Sequence, residues 1–98
     1  MELKETEKKC LELLMKWGGD RVVAYTKLME ELQADVETCK GLIGKMKEIE
    51  AVTHDYPPGW LVSEEGAYFR IATHIETIWQ EFLRQQKEKG SGAPRLKN

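Results

Sequence analysis

Val52-Thr53-His54-Asp55-Tyr56-Pro57-Pro58-Gly59-Trp60-Leu61-Val62-Ser63-Glu64-Glu65-Gly66-Ala67-Tyr68-Phe69-Arg70-Ile71-Ala72-Thr73 is the stretch that decides the fold. Helical periodicity stops at its first residue. Residues 52–56 read as extended chain. Pro57-Pro58-Gly59 breaks any helix and turns the backbone, because proline lacks the N–H and fixes φ. Trp60-Leu61-Val62 is aromatic and β-branched, and Ser63-Glu64-Glu65-Gly66 is a turn signal. Residues 67–73 then alternate as the return strand of a hairpin.

Three helical segments precede this hairpin. In residues 5–17, Cys10, Leu13, Leu14 and Trp17 form a one-sided apolar stripe, and Gly18-Gly19-Asp20 stops the helix. Arg21-Val22-Val23-Ala24 suits a short strand. Tyr25, Leu28, Met29 and Leu32 carry a second stripe to about residue 33. Asp35 is a helix N-cap by type and position, with Glu37 in the first turn. Val36, Cys39, Ile43 and Met46 line the third helix, with Leu42 and Ile49 beside them. Gly41 and Gly44 each cost this helix about 1 kcal/mol against alanine, which predicts close approach of another backbone.

After the hairpin, Ile75, Ile78, Trp79, Phe82 and Leu83 mark a fourth helix ending by Lys89. The predicted fold class is α+β: a winged-helix-like three-helix core, a C-terminal β-hairpin wing and an additional C-terminal helix. Residues 1–89 form a single domain and 90–98 a flexible basic tail.

Composition limits what such a domain can do. The chain has 98 residues, 41% hydrophobic and 33% charged, which permits one modest core. Its net charge of −2 argues against a generic polyanion binder. No apolar run is long enough to span a membrane, and the charged start Met1-Glu2-Leu3-Lys4-Glu5 is unlike a signal peptide. Cys10 and Cys39 lie inside helical segments without metal or redox spacing, so they read as buried, reduced thiols.

Catalytic constellations are missing from the pattern. His54 and Asp55 are strand neighbours whose side chains point to opposite faces, and His74 opens the last helix. Gly41-Leu42-Ile43-Gly44-Lys45 has neither the length nor the terminal hydroxyl of a phosphate loop. No metal-ligand motif occurs. The expectation is a non-enzyme with no cofactor.

At Leu42-Ile43-Gly44-Lys45-Met46-Lys47, then Val52-Thr53, then Tyr56-Pro57-Pro58-Gly59-Trp60-Leu61-Val62, the chain resembles the Costars family, over roughly residues 8–73. The resemblance implies a compact winged-helix-like domain associated with actin regulation, hence cytoplasmic with a cytoskeletal setting. Glu48-Ile49-Glu50-Ala51 stands where that family is basic, and the helix bearing Ile78 and Phe82 lies beyond its usual end.

The third helix would be the groove reader of a DNA-binding relative. Across residues 35–50, Lys40, Lys45 and Lys47 meet Asp35, Glu37, Glu48 and Glu50, a net of −1 with no arginine. A wing carrying Glu64 and Glu65 would repel phosphate. A protein partner, actin or an actin-associated protein, is therefore the expected one, and no membrane is expected. The candidate contact residues are Lys40, Lys45 and Lys47 with Tyr56, Trp60 and Tyr68. The alternatives are a DNA-binding winged helix and a small structural subunit of a cytoskeletal or ciliary assembly.

Overall fold

The computed structural model describes residues 2–56 and 67–92, with side chains to residue 87. It has mixed α+β architecture, with four helices and a three-stranded antiparallel sheet. The helices are α1 (Glu5–Trp17), α2 (Tyr25–Leu32), α3 (Val36–Glu48) and α4 (Ile75–Gly92). The strands are β1 (Val22–Ala24), β2 (Val52–Tyr56) and β3 (Tyr68–Ile71). Their order in the sheet is β1-β3-β2, so the last strand in sequence lies in the middle.

Local chemistry fixes the element ends. The Lys4 N–H donates to the Glu7 carboxylate at 2.8 Å and opens α1. Gly18, at φ 103°, closes it by donating to the Leu14 carbonyl. Asp35 caps α3 by accepting from the Thr38 N–H at 2.9 Å. Helix α2 ends at Gln33 and α3 just before Glu50, both left-handed, with φ of 55° and 66°.

The core lies between the helices and the inner face of the sheet. Cys10, Leu11, Leu14, Leu28, Cys39, Ile43, Met46, Phe69, Ile71 and Phe82 are buried in it. Tyr25 packs edge-on to Phe69, with ring centroids 5.5 Å apart. Helix α4 lies against α1.

Several expectations need correction. The buried stripe of α1 turns on Cys10, Leu11 and Leu14, while Leu13 and Trp17 are only half-buried. Helix α1 meets α3 and α4 on that side, which rotates its inward face toward Leu11. Val36 is 39% exposed and Leu83 is 41% exposed, so neither joins the core. Gly41 and Gly44 lie on the exposed face of α3, and a Cβ on either would meet nothing within 4 Å. No backbone approaches them. The return strand is shorter than residues 67–73, because Ala72 leaves β3 to donate to the Ala51 carbonyl and Thr73 begins the turn into α4. Helix α4 continues to Gly92, past the predicted end at Lys89. The Pro-Pro-Gly turn, Trp60-Leu61-Val62 and Glu64-Glu65 lie outside the described residues.

Candidate functional site

Strand pairing sorts the sheet residues into two faces, because paired residues of an antiparallel ladder point the same way. Val23, Phe69, Ile71 and Val52 face the core and are buried. The other face holds two cross-strand rows. One is Val22–Arg70–His54 and the other is Ala24–Tyr68–Tyr56. A register irregularity between Val52 and His54 makes this division possible. Thr53 is the extra residue, so Val52 points inward while His54, two positions on, points outward.

The outer rows are held in fixed geometry. The Arg70 Nε–H donates to the Tyr56 hydroxyl at 3.0 Å. Its Nη1 reaches the Asp20 carbonyl at 3.4 Å. The hydrogen bond it donates to Tyr56 is the leading reason that the guanidinium pKa lies above its ordinary value; charge interactions with Tyr56 and Asp20 add to it, against a desolvation cost. The rings of His54 and Tyr56 stack with centroids 5.8 Å apart and planes 2° from parallel. None of the six side chains in the two rows is a carboxylate.

The inward side of β2 carries a separate network. Tyr25 Oη donates to Asp55 Oδ1 at 2.7 Å, and Lys47 Nζ lies 3.9 Å from Asp55 Oδ2. Burial, then the hydrogen bond to Asp55, raises the Tyr25 pKa well above the phenol range. His54 and Asp55 therefore work on opposite faces and form no dyad.

The three lysines of α3 do not make one patch. Lys40 and Lys47 share its solvent side, about two turns apart. Lys45 turns instead toward a shallow cleft of about 390 Å³ beside α4, where Ile49, Thr77, Ile78 and Glu81 also line the wall. Each lysine has a carboxylate nearby: Lys40 with Glu37 at 3.9 Å, Lys45 with Glu48 at 3.6 Å, and Lys47 with Asp55. The cleft lining holds no histidine or cysteine. Among the described residues, no group of three or more His, Cys, Asp or Glu side chains could hold a metal ion. No helix among the described residues is long and apolar enough to cross a membrane.

Tyr56 and Tyr68, named from sequence, are directly paired on the outer sheet face. Lys40, Lys45 and Lys47 lie elsewhere, and Trp60 is outside the described residues. Sequence reasoning missed Arg70 and His54. Their signal was plain alternation, since His54 stands two residues from Tyr56 and Arg70 two from Tyr68; the Thr53 bulge breaks alternation only between Val52 and His54. Compared with protein-family models, curated proteins and solved structures, the chain has no significant match.

Proposed function

We propose that this chain is a non-catalytic protein-interaction domain on the winged-helix plan, docking through the outer face of its sheet, with the actin cytoskeleton as its setting. The element order, with β3 between β1 and β2, supports the winged-helix reading. The observation that carries the interaction reading is the cluster of Tyr56, Tyr68, His54 and Arg70 on one sheet face. Tyrosine and arginine are the residue types that dominate binding energy at protein interfaces.

The DNA-binding alternative is less well supported. A groove-reading helix needs cations available to phosphate and base edges, yet each lysine of α3 stands near a carboxylate. A mobility-shift assay against a random duplex pool is expected to show no retardation at physiological salt.

Co-sedimentation with filamentous actin tests the proposal. Pelleting at tens of micromolar protein, lost in Tyr68→Ala, is the expected result. Absence of pelleting removes actin as the partner.

A further inference from the structure

We infer that the outer sheet face takes an extended, acidic segment of a partner protein, with Arg70 as the anchor for a carboxylate. This deepens the protein-interaction reading and rests on it.

Arg70 stands on the middle strand and is only half exposed. Its two hydrogen-bond acceptors, the Tyr56 hydroxyl and the Asp20 carbonyl, are both neutral. No carboxylate forms an ion pair with it among the described residues, although Lys40, Lys45, Lys47 and Arg84 each have one. Lysines on the outer surfaces of the helices can remain in water as mobile point charges. Arg70 is different, because its guanidinium plane is aimed before any ligand arrives.

The committed Nε leaves the terminal nitrogens for a ligand. Nη1 is held only at 3.4 Å, and Nη2 meets no acceptor among the described residues. A planar carboxylate matches that pair of donors with two parallel hydrogen bonds. The Asp20 side chain does not compete through its Oδ1, which accepts from the Thr73 hydroxyl at 2.6 Å.

The neighbours define the rest of the ligand. Tyr56 and Tyr68 add rigid, amphipathic contact area, and Val22 and Ala24 continue it as a low apolar floor. The two rows are two residues apart along each strand, about 7 Å. Alternate side chains of an extended partner have the same spacing. One could place a carboxylate over the Arg70 row while the next lies on the tyrosine row. The two rows carry no carboxylate of their own, with Asp20 at their margin already engaged by Thr73; on a chain of net charge −2 they complement an acidic partner locally and leave little attraction for a polyphosphate.

Fluorescence anisotropy of the full chain tests this with two labelled pools of short peptides. One pool carries glutamate at alternate positions with varied residues between; the other carries glutamine there. The acidic pool is expected to bind about tenfold or more tightly than the glutamine pool. Arg70→Gln should remove that difference, Arg70→Lys should restore only part of it, and the distant Lys27→Gln should leave it intact. If Arg70→Gln does not fold by circular dichroism, Tyr56→Phe provides the second reading. It keeps the ring, loses the acceptor that aims Arg70, and should weaken acidic-pool binding several-fold. Equal binding of the two pools, no binding of the acidic pool, or tighter binding of a thymidine oligonucleotide would each overturn the inference. Actin pelleting that depends on Tyr68, together with a blank acidic pool, would overturn the carboxylate anchor and leave the interaction reading standing.

Discussion

A Cβ on Gly19 would lie 2.7 Å from the Thr73 carbonyl oxygen and 2.9 Å from that of Ala72. Both obstacles are backbone, so neither can swing aside. Gly19→Ala should destabilise the chain by about 1–3 kcal/mol in urea unfolding, through strain where the α1–β1 loop meets the entry to α4. Gly41 and Gly44 have the opposite outlook. Nothing stands where their Cβ atoms would go, and both lie within the regular helix α3. Gly41→Ala and Gly44→Ala should each stabilise by up to about 1 kcal/mol, raising the urea midpoint without changing the slope. The sequence marked Gly41 and Gly44 as costly and Gly19 only as part of a helix stop; the neighbouring backbone shows that Gly19 is the one that is needed. Tyr25 presents the same problem. Its place on the stripe of α2 was legible, but its hydrogen bond to Asp55 on β2 was not, because the partners meet only after the sheet forms.

Among the elements, α4 separates neighbours that periodicity treats alike. Phe82 is buried beside Trp79, whereas Leu83 remains 41% exposed. Phe82→Ala should cost about 3–5 kcal/mol and Leu83→Ala within about 0.5 kcal/mol, both read by urea unfolding. The reason is that α4 lies on α1 along one side only, so the apolar stripe is wider than the contact. Helix α3 gives an element-scale pH effect. The Thr38 N–H hydrogen bond holds the Asp35 carboxyl below its usual range. A depressed carboxyl contributes its stability above the unfolded value, near 3.9, and loses it as pH falls through the lower folded value. Hydrogen exchange at Thr38 should therefore accelerate in acid beyond the intrinsic rate, and Asp35→Asn should abolish the part that titrates. Helix starts of this kind were plain from residue type. The end of α2 near residue 33 was also legible, but not the left-handed conformation of Gln33 and Glu50, at positions that glycine usually marks.

For the molecule as a whole, the two thiols report on global opening. Cys10 and Cys39 are fully buried, on α1 and α3. Burial pushes the Cys10 thiol up to about 12, with Cys39 and then Glu7 adding to the rise. Burial also raises Cys39, with Asp35 adding to it. A raised folded pKa means this contribution to stability is intact below the unfolded thiol value. It is lost as pH rises toward the folded one. Between pH 8 and pH 10, Cys10 should cost the fold roughly 1–2 kcal/mol, and Cys10→Ala should lose that part of the pH slope. Native-state labelling by a maleimide should be slow and accelerate with urea in step with unfolding, since neither thiol is accessible without it.

Element types and order were written in the sequence, because a helix or strand that buries one side must repeat its apolar residues at its own period. So were the Asp35 cap and the alternation of the return strand. Tertiary structure alone decided that β3 lies between β1 and β2, that Thr53 bulges, and that Arg70 is aimed by Tyr56 beside a stacked His54. Those features depend on residues far apart in the chain meeting in one register, and local periodicity carries no information about register.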